Sequence, residues 1–172
     1  AVLLARMNLV ILELGELDSD ARWRHPGVQS PFHRLYWVAR GDAFVLGNRG
    51  CTELTPRHVW FIPAGQRFDY GCHRRVVKGY AHLQCEWLPG MDRYRHIDRV
   101  HDLGLWKVPP KGFWPPGIRL GDASSVPALL SEIWARLARL PLPDEKTLHE
   151  ERLRLGSWKP VFDLVETRLS AE

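Results

Sequence analysis

The run His58-Val-Trp-Phe-Ile-Pro-Ala-Gly-Gln-Arg-Phe-Asp-Tyr70 constrains the fold more than any other stretch of the chain. Val59 to Ile62 is apolar and rich in strand formers, so it reads as a buried strand. Pro63-Ala64-Gly65 has turn chemistry: proline presets φ, and glycine tolerates a positive one. Phe68 to Cys72 then leaves as a second strand. A buried strand, a Pro-x-Gly turn and a returning strand belong to a small antiparallel β-barrel with room inside. What fills that interior decides whether the chain is an enzyme, a sensor or a scaffold.

The flanking sequence repeats the pattern. Leu9 to Leu14 is apolar, Leu35 to Ala39 carries Tyr and Trp, and Gly41-Asp42 breaks the strand. Phe44 to Leu46 and Cys51 to Leu54 flank Gly47-Asn-Arg-Gly50, a hairpin signal because Gly and Asn accept positive φ. Val76 to Gln84 completes the set. Strands this short, cut by turns at this spacing, predict a sandwich or small barrel. From Pro89 to Asp122 the chain reads as irregular, with Pro109-Pro110 and Pro115-Pro116 excluding regular structure, and is expected to lie as a loop over the barrel.

The period then changes. Val126, Leu129, Leu130, Ile133, Trp134, Leu137 and Leu140 recur at helical spacing and form one apolar stripe. Ser124 and Ser125 are candidate N-caps, with Pro127 in the first turn and Pro141 and Pro143 beyond the end. A second helix is expected over 145–155, stopped by Gly156. Ser157 is placed as the cap of a third, whose apolar face would be Val161, Phe162, Val165 and Leu169.

The 172 residues, 45% hydrophobic and 26% charged, suit one soluble domain with a real core. Cys51, Cys72 and Cys85 are an odd number without a CxxC pair, which argues against a disulfide framework and for a reducing cytosol. Arg6, Asn8 and Glu13 interrupt the apolar N-terminus, which reads as an arm and a strand rather than a signal peptide. No stretch approaches the 18 or so apolar residues that a membrane helix needs. The net charge of +4 comes from scattered arginines and does not by itself indicate a nucleic-acid partner.

Catalytic patterns are thin. There is no GxSxG, and Cys72 and His73, adjacent on a strand, point to opposite faces. Lys78, Tyr80, His82 and Gln84 alternate along one strand and share a face, as do Phe68 and Tyr70. An interior lined by aromatic rings with a few polar tips suits a small ligand, and the same residues could equally fill a closed core. Trp37 and Trp60 could stack on a sugar or an aromatic ring, or serve as packing tryptophans.

In order and spacing, Arg34-Leu-Tyr-Trp-Val-Ala-Arg-Gly41, the Gly47–Gly50 hairpin, the Leu54 to Tyr70 run and Lys78-Gly-Tyr-Ala-His-Leu83 resemble the N-terminal cupin-like domain of AraC-type (AraC/XylS family) transcription regulators. The helices that follow resemble that family's dimerisation segment. Lys159 to Ser170 looks like the start of its DNA-binding domain. The resemblance implies an α+β fold: a small cupin-like antiparallel β-barrel of jelly-roll type followed by two or three α-helices. Its expected divisions are a sensing barrel over 1–122, a dimerisation segment over 123–156 and the start of a DNA-binding domain over 157–172. Two helix-turn-helix units would need roughly a hundred further residues.

The resemblance also implies a function: effector sensing in a metal-free barrel of a cytoplasmic bacterial regulator. The barrel would need neither cofactor nor catalytic residue. Metal-binding cupins carry HxH, a glutamate and a further histidine three residues after the Pro-x-Gly glycine. Here that last position is Phe68, and no HxH occurs. The expected ligand-binding set is Trp37, Phe68, Tyr70, Lys78, Tyr80 and His82. Tyr70 matches a pocket tyrosine of the arabinose-responsive member; Tyr80 stands where that member has a stacking tryptophan, and Lys78 where it has a histidine. The effector is expected to be a small molecule such as a sugar or an aromatic acid. Leu129, Leu130, Ile133, Trp134 and Leu137 would join two copies, and DNA would be bound only by a C-terminal domain. The alternatives are a stand-alone cupin enzyme acting on a sugar or small acid, and a structural barrel without a ligand.

Overall fold

A strand-rich first half and an amphipathic helix are followed by helical residues between 145 and 160. In a computed structural model the described residues are 8–88, 91–106, 114, 121–147, 149–151, 153–154, 156–157 and 160, with backbone alone at 87 and 88. The chain divides into two units, Ala1–Leu140 and Pro141–Glu172.

The first unit is an α+β fold, one antiparallel sheet with a helix packed on one face. Its strands are β1 (Asn8–Asp20), β2 (Arg24–Gln29), β3 (His33–Gly47), β4 (Gly50–Glu53), β5 (His58–Ile62), β6 (Arg67–Leu88), β7 (Met91–Asp92) and β8 (His101–Leu105), and its helix is α1 (Val126–Leu137). The sheet is antiparallel with the order β1-β6-β3-β5-β8, while β2 and β7 pair with β6 and β4 pairs with β3. Among the described residues, β1 and β8 do not pair with each other, so the barrel is open along that seam.

Two strands are longer than the sequence pattern suggests. Phe68–Cys72 and Val76–Gln84 are one strand, β6, and Leu35–Ala39 and Phe44–Leu46 are one strand, β3. Gly41-Asp42 does not break β3. The β3–β6 register shifts between Val38 and Arg40 and again between Gly41 and Ala43. Bulges of this kind bend a strand without ending its pairing. Gly41 has φ +107°, and a Cβ there would stand 2.0 Å from the Arg75 carbonyl oxygen. Only glycine fits so close an approach.

Alternation along the bent strands yields two buried faces. On one, Leu35, Trp37, Val59, Phe61, Val77, Ala81, Leu83 and Cys85 meet Leu129, Ile133, Leu137 and Leu140. On the other, Tyr36, Val38, Ala43, Val45, Trp60, Ile62, Phe68, Cys72 and Val76 gather in the barrel interior. The apolar stripe of α1 is therefore spent on its own sheet. The expected dimerisation residues Leu129, Ile133 and Leu137 are buried there, while Leu130 and Trp134 are half-buried.

The region from 89 to 122, expected to be irregular, contains two short strands. Strand β8 pairs with β5, His58 Nδ1 lies 2.8 Å from Asp102 Oδ2, and Arg136 of α1 donates to the carbonyls of Leu103 and Leu105. Five residues with one buried leucine are too short a run for a period to show. Trp114 is buried against Trp37, while Pro109, Pro110, Pro115 and Pro116 lie outside the described residues.

Caps also differ from expectation. Asp122 accepts from Ser124 N at 2.9 Å and caps a short 3-10 turn over Ala123–Ser125, whereas Ser125 makes no side-chain cap bond. In the second unit, residues 145–147 and 149–151 are helical, and Asp144 Oδ1 accepts from Thr147 N. Gly156 and Ser157 are also helical, so glycine does not end this helix. The Ser157 hydroxyl donates back to the Arg154 carbonyl instead of capping a new helix. Val161, Phe162, Val165 and Leu169 lie outside the described residues.

The corner at Gly41 makes a clear test. Gly41→Ala should lower unfolding free energy by about 2–3 kcal/mol, from backbone strain and the clash with Arg75. Urea denaturation compared with the wild type reads it, and an unchanged midpoint would show that the corner does not need glycine.

Candidate functional site

Strand alternation brings five of the six expected ligand-binding residues to the barrel interior or its rim. Phe68 is part of the interior core, and Tyr70 and Tyr80 pack against it. Lys78 and His82 follow from the same even-numbered face of β6. Trp37 does not join them. It lies on the opposite face of β3, in the core under α1, 5.1 Å from the Trp114 ring and bonded through its indole N–H to Glu132. A one-residue step along a strand reverses the face, so Tyr36 enters the interior and Trp37 cannot.

Lys78 is the centre of the site. It is 2% exposed. Its ammonium stands 2.9 Å from the Tyr36 ring centroid, 4.3 Å from that of Trp23 and 5.6 Å from that of Tyr80. The electron-rich ring faces attract the cation, but each such contact is worth only about 2 kcal/mol when desolvated. Burial first, and then the charge of Arg34, push the Lys78 pKa well below its ordinary value of 10.5; nearby Cys72 opposes this weakly. Tyr36 is raised, chiefly by burial.

Arg34 is the second buried cation, 5% exposed. It lies over the rings of Phe32 (5.0 Å) and Tyr70 (5.5 Å), and one of its N–H groups donates to the Ser30 hydroxyl. Trp23 links the two cations, with its ring 5.3 Å from Tyr70 and 6.5 Å from Tyr36. The His25 ring lies 5.0 Å from that of Tyr70, tilted by 33°.

The rim is acidic at one point. Glu13 on β1 accepts from the Tyr80 hydroxyl and meets His82 Nδ1, both at 2.8 Å. Tyr80 holds the Glu13 carboxyl below the usual range. The His82 ring stacks on Phe32 at 4.6 Å, and its pKa is lowered by burial, then by Arg34, against the pull of Glu13. The Tyr80 ring lies across Gly15 of β1, where a Cβ would stand 2.4 Å from the phenol. Glycine there lets the ring lie flat over the neighbouring strand.

The sequence pattern missed Arg34, Tyr36, Trp23, His25 and Glu13. Arg34 and Tyr36 had a usable signal, because they alternate on β3 directly opposite His82 and Tyr80. Trp23 and His25 had none: they arrive by the turn from β1 into β2, which starts at Arg24 and contains Pro26 and Gly27.

Among the described residues, no group of three His, Cys, Asp or Glu side chains comes together to hold a metal ion. Phe68 is buried in the interior core. His33, also buried, is tied into the structure: its Nδ1 accepts from Ala64 N, and its Nε2 meets Asp92 at 2.8 Å.

No protein-family model matches the chain, and no curated protein sequence matches it. Solved structures similar to it include the ethanolamine utilization protein EutQ from Salmonella typhimurium LT2, at 19% identity and a TM-score of 0.37, covering 44% of this chain and 68% of that one. They also include ToxT from Vibrio cholerae strain SCE256, bound to unsaturated fatty acid, at 12% identity and a TM-score of 0.33. A second ToxT structure from Vibrio cholerae gives 9% and 0.29. The matches cover 44% and 46% of this chain and 29% and 30% of the two ToxT chains.

Two outcomes follow from the interior. Between the folded pKa of Lys78 and 10.5, the unfolded chain holds a proton that the folded chain lacks, so stability rises with pH across that window. Lys78→Met should remove that rise and stabilise the fold by about 1–3 kcal/mol, several degrees in Tm; thermal melts from pH 6 to 10 (about the span of interest) read both. For His82 the same sign applies lower down. Stability should fall as pH drops through its ordinary 6.5, and His82→Gln should flatten that fall. A fall of equal depth in the variant would assign it elsewhere.

Proposed function

We propose that this chain is the effector-binding domain of a bacterial DNA-binding transcription regulator, sensing a small molecule in a metal-free interior. The observation that supports it best is the interior itself, where Trp23, Tyr36, Tyr70 and Tyr80 surround a lysine and an arginine. Apolar rings supply contact area, and a few polar tips set orientation, which is the make-up of a small-molecule site. The order of the strand–Pro–x–Gly–strand core, the Lys78 strand and the following helix, resembling AraC-type sensor domains, supports the regulatory part.

In this proposal the chain is no enzyme, and DNA contact belongs to a C-terminal domain of the regulator in the cytoplasm. Effector binding would favour one arrangement of barrel and helix, and the shift is bounded by the difference in affinity for the two arrangements. A second copy would meet α1 on the row Val126, Leu130 and Trp134, which the sheet leaves partly open.

A second reading, a stand-alone cupin enzyme acting on a sugar or small acid, draws on Lys78. A lysine desolvated among apolar groups is how amine nucleophiles are prepared.

A thermal-shift screen against neutral sugars, amino acids, aromatic acids and fatty acids separates these. A ligand at a hundred times its Kd should raise stability by about 2.7 kcal/mol. Binding without turnover supports sensing, and turnover of the bound compound supports the enzyme. No shift across the whole library would overturn both.

A further inference from the structure

The interior holds hydrogen-bond donors with no acceptors to match. Among the described residues no carboxylate or carbonyl accepts from the Lys78 ammonium, and the Arg34 guanidinium has the Ser30 hydroxyl as its one bonded partner. The Tyr36 hydroxyl, on a residue 2% exposed, also makes no hydrogen bond there. The acids nearby are engaged by groups other than the two cations. Glu13 is held by Tyr80 and His82 at the rim, and Asp69 accepts from Gly27 N. Proteins do not ordinarily keep buried cations unpaired, because the desolvation cost is several kcal/mol per ion without a counter-charge. Ring faces compensate only in part.

We propose that the barrel interior is an anion site built for a carboxylate carried on a flat apolar or aromatic body, with Lys78 and Arg34 as the paired cations. This rests on the effector-binding reading above and names the class of effector. The guanidinium offers a planar fork that matches a carboxylate, and the ammonium offers a point charge. Trp23, Tyr36 and Tyr70, whose rings already carry the two cationic side chains, supply the apolar surroundings that suit a flat body. A neutral sugar would supply no counter-charge to either group. A free phosphate would use the cations and waste the rings.

The two cations also act on each other. Arg34 helps to push the Lys78 proton off, and an anion between them reverses that effect. Carboxylate binding should therefore raise the Lys78 pKa, so proton uptake accompanies it at a pH between the folded value and 10.5. Arg34, Cys72, Tyr36 and Tyr80 face the ammonium; burial raises the Cys72 thiol and the Tyr36 phenol, whereas burial and Arg34 lower Lys78. This leaves Lys78 as the group that takes the proton.

The test is calorimetric titration of the whole chain with phenylacetate and 2-naphthoate, each beside its primary amide, and with inorganic phosphate. The acids should bind at least about tenfold more tightly than their amides. Lys78→Met and Arg34→Gln should each weaken the acids about tenfold or more, while Arg34→Lys retains part of the affinity. Circular dichroism checks that each variant is folded. In buffers of different ionisation heat, the acids should show proton uptake in the wild type and none in Lys78→Met.

Acids and amides binding equally, or acids indifferent to Lys78→Met, would overturn the anion site and leave effector binding standing. Tighter binding of phosphate than of either acid would overturn the choice of carboxylate. If neither acid binds at millimolar concentration while a neutral sugar does, the inference fails and the sensing role survives. If charged and neutral compounds all fail to bind, both fall.

Discussion

Strands β3 and β6 stay hydrogen-bonded to each other through a corner, and the rest of the domain depends on it. His33 to Val38 pair with Lys78 to Leu83 before the corner, and Ala43 to Leu46 pair with Asp69 to Cys72 after it. Two register shifts and a glycine at φ +107° let the pair turn without losing its ladder. The remaining strands extend one arm or the other: β1 and β5 add to the first, and β2 and β4 to the second. The concave side becomes the interior. The convex side of the first arm becomes the floor on which α1 lies.

This division explains why one strand carries two kinds of residue. On β3, Leu35, Trp37 and Ala39 complete an ordinary apolar core beneath the helix, whereas Arg34 and Tyr36 between them face the interior. Helix α1 is also held by polar contacts, with Glu132 accepting from Trp37 and Arg136 while Arg136 reaches the carbonyls of β8. The helix-side core is therefore the stable half. The interior carries charge that costs stability, a trade common where a site is prepared for a partner.

Much of this architecture was legible in the sequence. The strand–turn–strand unit at Val59 to Cys72, the Gly47–Gly50 hairpin and the helix at Val126 each follow from a strong local signal. The continuity of β3 and β6 was not legible, because Gly41-Asp42 and the charged run His73 to Arg75 look like breaks until a partner strand bridges them. Strand β8 was invisible because five residues carry no measurable period. The even face of β6 placed Phe68, Tyr70, Lys78, Tyr80 and His82 together, since period-two alternation keeps its parity on both arms of the strand. Trp37 went astray by one step of the same rule.

The sequence alone determined the class of fold and which side chains of β6 share a face, because both depend on interactions between near neighbours along the chain. Tertiary structure decided what those side chains meet. It put Arg34 and Tyr36 opposite His82 and Tyr80, brought Trp23 across from a distant turn, and left Lys78 and Arg34 buried with no carboxylate bonded to them among the described residues. It also spent the helical stripe on the sheet, where Leu129, Ile133 and Leu137 are covered. Burial and charge pairing are properties of groups far apart in sequence, and only the bent sheet brings those groups to one place.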